Sequence, residues 1–414
     1  PPRPQPATEK PKVSFGKGET MGSVYQAEPI PAEARDAIDA LLASGDLFRY
    51  TAPADAPVAR LEAAFADFMG VPYALAVSSC SAALFLSLKA VGLAPGTRVV
   101  IPAFTFAAVP SAVVHAGCTP VLVEVGDSLR LNLADFEAKL TPDVGAVLIS
   151  HMRGHTSDMD AIMALAGARG IPVIEDAAHS LGTEWHGRKI GTIGKVGAFS
   201  FQSYKLVNGG EGGMLITDDP DIIARAVIMS GAYEHNWKKH PLLGADFDRW
   251  QNRLPLYNLR MNNLSAAVIL PQLAEIPRRV RDGRANHDYV AARLNASPWL
   301  AVPPPLAPET RAPDSIQFRL VDFTDAEAEA FAAECARMGG EVSVFGRSAD
   351  NARAFWNWRF LGDLPELPQT RAMLMRTCDA RLPARLPRAE LDRIAGVCLA
   401  AAEAVKAPAR AYGT

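Results

Sequence analysis

Apolar residues recur along this chain with two different spacings. Between Pro31 and Gly45, and again between Val58 and Met69, they return every three or four positions, which is the spacing of one helix face. Beyond Met69, short apolar runs alternate with helical stretches. The runs Ala74–Val77, Thr97–Ile101, Pro120–Val125, Ala146–Ser150, Pro172–Glu175, Gly197–Phe201 and Met214–Thr217 read as strands. Ser81–Val91, Thr105–Ala116 and Met159–Arg169 read as the helices between them. This alternation predicts an α/β fold in which a mostly parallel seven-stranded sheet lies between helices and ligands sit at the carboxyl ends of strands. After Leu273 the texture changes to a basic helix (Ile276–Arg293), proline-rich loops and an alternating strand near Ser315–Leu320. The expected organisation is an extended, disordered arm at 1–25, a large domain at 26–286 and a smaller C-terminal α+β domain at 287–414.

Composition narrows the classes. With 414 residues, 49% hydrophobic and 21% charged, the chain can bury two cores and has the profile of a soluble globular protein. A net charge of -3 points to neither a nucleic-acid surface nor an anionic membrane. The five cysteines are scattered without a CxxC pair, so neither a metal site nor a disulfide framework is expected, and a reducing cytoplasm is the expected location. Val99–Val123 carries no Asp, Glu, Lys or Arg, but Pro102, Pro110, Gly117 and Pro120 interrupt it, and strand–helix–strand explains it better than a membrane span. The first twenty residues are polar and proline-rich and do not resemble a cleavable signal.

The candidate chemistry gathers at predicted strand ends. Lys205 lies between Phe199-Ser-Phe201 and the glycine cluster Gly209-Gly-Glu-Gly-Gly213, where its amine can approach a flat, phosphorylated ligand. Asp176 closes the strand that runs into Glu175-Asp-Ala-Ala-His179. An imine-forming lysine and an aspartate able to hold a proton on a ring nitrogen suggest pyridoxal 5'-phosphate. His179 would lie near the ring hydroxyl. The run Ser78-Ser-Cys-Ser-Ala-Ala83 leads a strand into a helix, so Ser79, Cys80 and Ser81 offer amides and hydroxyls to a phosphate, and Ser200 adds another hydroxyl. Phe106 is placed to stack on the ring. Each residue also has a plain reading: surface lysine, helix-capping aspartate or serine, structural histidine, core phenylalanine.

Taken in order, these motifs resemble the DegT/DnrJ/StrS family of sugar aminotransferases, within the fold-type I class of pyridoxal-phosphate enzymes. The resemblance also rests on Gly154 with Met159-Asp-Ala-Ile162, on Tyr257-Asn-Leu-Arg-Met261 and on Gln272-Leu273. It implies that Lys205 is the Schiff-base lysine, Asp176 the partner of the pyridine nitrogen, His179 the residue beside the ring oxygen, Ser81 and Ser200 phosphate ligands and Phe106 the stacking aromatic. It implies further that Asn258 reaches the phosphate across a homodimer interface. Cys80 stands where the family usually has glycine, and a lysine at 205 rather than histidine argues against the family's dehydrating branch.

The implied reaction moves an amino group from glutamate or glutamine to a keto sugar or cyclic polyol ketone through pyridoxamine phosphate. Gly45-Asp-Leu-Phe-Arg-Tyr50, His151-Met-Arg-Gly154 and Met375-Arg-Thr377 are similar to transaminases that make 8-amino-8-deoxy-octulosonate. Arg49 and Tyr50, with His235 and Trp237 of the 233–239 loop, are candidate contacts to an anionic or hydroxylated substrate; the competing reading is a solvated loop. Two other classes stay open: a regulatory protein that binds the cofactor or a sugar without turnover, and an enzyme that decarboxylates an amino acid or eliminates from one.

Overall fold

The computed structural model describes residues 27–347 and 351–406, so the expected arm at 1–25 lies outside the described residues. Seven strands build the main sheet: β1 (Tyr73–Val77), β2 (Arg98–Pro102), β3 (Thr119–Val123), β4 (Val144–Ser150), β5 (Val173–Asp176), β6 (Val196–Ser200) and β7 (Gly213–Thr217). Their order across the sheet is β1-β7-β6-β5-β4-β2-β3. From β6 through β5, β4 and β2 to β3 every pairing is parallel; β7 runs antiparallel to both neighbours. All seven expected strands are present, with ends shifted by a residue or two. The reason they read as unbroken apolar runs is visible in the packing. Leu75, Val99, Ile101, Ala146 and Leu148 enter one core, while Ala74, Ala76, Val100, Val147 and Ile149 enter another on the opposite face. A strand covered on both sides has no polar face to alternate with.

The charge-free stretch from Val99 to Val123 is β2, a helix at Ala108–His115 and β3, as expected. Among the described residues no helix is long and apolar enough to cross a membrane. That short helix starts later than the expected Thr105, and the difference matters. Phe106 sits in the irregular segment ahead of it, 44% exposed rather than held on a helix face.

The expected break at 286/287 falls inside the helix Ile276–Leu294, whose start packs under the main sheet and whose end (Val290, Leu294) joins a third core. That core is built on a four-stranded antiparallel sheet ordered Leu300–Ala301, Ser315–Leu320, Thr377–Arg381, Ser343–Val344 and on the helices Asp325–Arg337 and Arg388–Lys406. Thr324 opens the first of these helices with a capping box to Glu327, two orphan donors satisfied reciprocally. Not all of the C-terminal region stays with this core. Phe345, Phe355, Trp358, Met373 and Leu374 return to the first core, with Phe345 edge-on to Phe104 at 5.1 Å. Buried Glu124, just after β3, accepts the amides of Gln369 and Thr370 at 3.1 and 2.8 Å and so caps the helix Pro368–Arg376. The small sheet is thereby held over the carboxyl ends of β4, β5 and β6.

Candidate active site

Strand alternation decides which carboxylate faces the site. At the end of β5, Glu175 is wholly buried on one face, where it accepts the amides of Gly191, Ile193 and Gly194 and meets His151 Nε2 at 3.1 Å. Burial pushes its carboxyl pKa up, but His151 and those amides outweigh it and the net shift is downward. Asp176 points the other way, into the cavity. Ser150 Oγ donates to its Oδ2 at 2.8 Å and the Ala178 amide to its Oδ1 at 3.1 Å, so the capping and cavity-facing roles coexist.

Lys205 lies in the turn after β6, its amide bonded to the Gln202 carbonyl at 2.8 Å, and its Nζ is 2.9 Å from His179 Nε2. Burial lowers the ammonium to about 8, helped by Arg153 and opposed by Asp314 and Asp176. Burial, then Lys205 and Arg153, likewise hold His179 well below the usual imidazole range, so its ring is neutral at pH 7.

The anion cradle forms where β1 turns into the helix Cys80–Val91. Ser79 is its N-cap, with Oγ accepting the Ala82 amide at 3.1 Å, which leaves the first-turn donors at Cys80 and Ser81 facing outward at the positive end of the helix dipole. Cys80 needs no glycine-like freedom, since its φ is not among the positive values. Its thiol lies 3.9 Å from Asp176 Oδ1, and burial, followed by Asp176, raises its pKa well above the ordinary value. Glycine is required at 213 instead. A Cβ there would lie 2.4 Å from the carbonyl carbon and oxygen of Ser79 and 2.6 Å from the Cys80 nitrogen. Gly213→Ala should therefore cost about 1–3 kcal/mol, as overpacking does, and weaken binding of a phosphorylated ligand. A denaturant midpoint and a ligand titration would read both effects; an unchanged titration would contradict the cradle.

These groups surround one cavity of about 560 Å³, within the usual size of small-molecule sites. Ser79, Cys80, Ser81, Phe106, Asp176, His179, Ser200 and Lys205 all line it, and Phe106 lies at its edge with the Arg353 guanidinium carbon 5.6 Å from its ring centre. The profile of the DegT/DnrJ/EryC1/StrS aminotransferase family matches residues 31–396, nearly the full described length. The chain belongs to this family. Spore coat polysaccharide biosynthesis protein SpsC of Bacillus subtilis (strain 168) is 38% identical over 243 residues, covering 58% of this chain and 61% of that protein. GDP-perosamine synthase of Caulobacter vibrioides is 35% identical over 245 residues, covering 58% and 60%. The chain thus spans about 60% of the length of the curated relatives it matches. Across nearly the whole fold, the crystal structure of aminotransferase TlmJ from Streptoalloteichus hindustanus superposes with a TM-score of 0.80 at 26% identity, over 92% of this chain and 99% of that one.

Within the DegT/DnrJ/EryC1/StrS frame, five expected site residues fall outside the cavity. Asn258 is exposed in the segment between Trp250 and Asn263. Arg49 and Tyr50, the candidate substrate contacts, do not line the cavity in this subunit. Both are buried, the Arg49 guanidinium pairing with Glu62 at 2.6 and 2.8 Å and the Tyr50 hydroxyl meeting His240 Nε2 at 2.8 Å. A charge so buried is committed to its partner, because leaving it costs the desolvation of an unpaired ion. His235 is exposed, and Trp237 stacks on Phe247 at 5.1 Å while its indole nitrogen donates to Gln251. Both belong to a surface loop in this subunit. Sequence reasoning in turn missed Ser150, Arg153, Gln202, Tyr204, Glu211, Arg353, Asp379 and Arg381, which line the cavity or hold a residue that does. Ser150 and Arg153 were findable from their place at the carboxyl end of β4. Asp379 and Arg381 carry no local signal, because tertiary packing alone brings their strand to the site.

Proposed function

We propose that the protein is a pyridoxal 5'-phosphate-dependent aminotransferase that moves an amino group from glutamate or glutamine to a keto sugar or cyclic polyol ketone. The observation that carries this reading is the opening of the Lys205 amine and the Asp176 carboxylate into one cavity beside an anion cradle. The residues fit the cofactor: the helix start at Cys80 with Ser79, Ser81 and Ser200 for the phosphate, Phe106 for the ring face, His179 for the ring oxygen and Asp176 for the ring nitrogen. When bound, the cofactor supplies a carbonyl to carry the amino group and an electron sink for the substrate carbon. Lys205, with its depressed pKa, takes a proton from that carbon and returns it on the other side of the exchange. Neutral His179 keeps the amine directed inward without adding positive charge. Asp176, anchored by Ser150 and the Ala178 amide, keeps a proton on the ring nitrogen. Asn258 would complete the phosphate site of a second subunit, which makes the working form a homodimer.

The test is a pair of half-reactions. Protein loaded with pyridoxal phosphate and given glutamate, then glutamine in a separate sample, should release one keto acid per site as the aldehyde absorbance disappears. Addition of a keto sugar should restore that absorbance with formation of an amino sugar. Absence of keto acid with both donors would reject the reading. The lysine pKa adds a pH prediction. A neutral amine is the nucleophile, so covalent capture of pyridoxal phosphate should slow by about tenfold per pH unit below the Lys205 pKa. It should level off above about 8, whereas an unperturbed lysine would keep gaining past pH 10. Stopped-flow absorbance across pH 6 to 10 distinguishes the two profiles.

A further inference from the structure

Directly after Lys205 the main chain is gripped from behind the cavity by two buried side chains. Gln272, in the turn Leu270–Glu275, donates Nε2 to the Asn208 carbonyl at 2.6 Å and accepts the Asn208 amide at 3.1 Å. Arg279, in the helix Ile276–Leu294, donates Nη1 to the Leu206 carbonyl at 2.7 Å and to Gln272 Oε1 at 3.1 Å. Gln272 is 0% and Arg279 1% exposed, and neither lines the cavity. The other side of the Arg279 guanidinium faces the start of the described chain. Its Nη2 donates to the Pro29 carbonyl at 3.5 Å, and its Nε lies 3.9 Å from the Glu28 carboxylate, which also faces Arg278 at 3.6 Å. At those distances Glu28 is a counter-charge rather than a hydrogen-bond partner. An apolar side chain could fill the Arg279 position without the cost of burying a charge. The position instead holds a cation whose shortest hydrogen bond goes to the residue next to Lys205.

Building on the aminotransferase reading, we propose that Arg279 is a positioning residue for Lys205: with Gln272 it clamps the backbone of residues 206–208 from the rear, and the Glu28–Pro29 segment strengthens the clamp. The lysine amine sits on a flexible four-carbon stem. In front it is steered by His179, 2.9 Å away. Behind, its place depends on where the backbone holds the stem. A misplacement of about 1 Å can cost about 10²-fold in rate, so a fixed carbonyl one residue away bears directly on how the amine meets a reacting carbon. Arg279 acts through Leu206 and Gln272, not on the reacting atoms.

The test separates placement of the amine from integrity of the cavity. Arg279→Met should slow covalent capture of pyridoxal phosphate by about tenfold or more, measured by stopped-flow absorbance above about pH 8, where the Lys205 amine is neutral. Binding of 4'-deoxypyridoxine 5'-phosphate, which has no aldehyde to capture, should stay within about threefold of native, because the cradle is untouched. Arg279→Lys, which keeps the charge, should recover part of the capture rate. Amide hydrogen exchange across residues 206–210, followed by mass spectrometry on the cofactor-free full chain, should quicken about tenfold in Arg279→Met. The proposal is overturned if folded Arg279→Met captures the cofactor within about twofold of native, if binding of the deoxy analogue falls as far as capture does, or if exchange at 206–210 is unchanged. Should Arg279→Met fail to fold, Glu28→Gln carries the comparison: loss of one counter-charge should slow capture about twofold to fivefold, and a native rate overturns the proposal. Failure of native protein to capture pyridoxal phosphate would sink the aminotransferase reading separately, and hydrogen exchange would still decide the clamp.

Discussion

Lys205→Ala should lower turnover by about 10⁴-fold or more, the combined loss of a nucleophile and a proton carrier. It should also remove the covalent link that borohydride traps between protein and pyridoxal phosphate. The magnitude follows from geometry: the Lys205 amine is the nitrogen nucleophile paired with His179 in the cavity, with its pKa lowered to about 8. Folding should survive, because removal of a half-buried amine lifts a desolvation cost and leaves the Gln202 turn intact. Peptide mapping after reduction would locate the trapped link. A link found on another lysine, or turnover within tenfold of native, would contradict the assignment. Partial recovery with added methylamine would show that the missing function is the amine itself.

The second large effect is expected at Asp176. Asp176→Asn keeps an Oδ1 that accepts from the Ala178 amide, and its Nδ2 can donate to the Ser150 hydroxyl where the carboxylate accepted from it, so the end of β5 should keep its shape and the cofactor should still bind. What it loses is the negative charge that keeps the ring nitrogen protonated. Removing one well-placed electrostatic partner typically costs about 10²–10³-fold. The loss should appear in exchange of the donor's α-hydrogen with deuterium from solvent, while the cofactor dissociation constant moves far less. Near-native exchange would place Asp176 outside the chemistry and leave it a strand-end cap.

How much of this was legible in advance can be judged residue by residue. β1 to β7 were readable because each is buried on both faces and so is apolar without interruption. The helices Pro220–Gly231 and Arg388–Lys406 were not singled out, although Leu391, Ile394, Ala395, Cys398, Ala401 and Ala402 of the second recur on one buried face; the first is buried on nearly all sides. Arg49 was a candidate contact to an anionic or hydroxylated substrate. Its partner Glu62 lies on the helix Pro57–Met69, and nothing local marks the two as a pair.

The order of motifs along the chain by itself determined the α/β class, the family, and the cradle–lysine–aspartate set, because each of those residues follows directly from the end of its own strand. Strand ends in a parallel sheet converge whatever the loops do. Only the tertiary structure decided which other groups line the cavity. Arg153 follows a strand of the main sheet, while Asp379 and Arg381 share one strand of the small sheet, and Phe345, Phe355, Trp358, Met373 and Leu374 pack that region back onto the first core. That return is driven by nonlocal burial of Phe345, Phe355 and Trp358, which no periodicity along the chain encodes.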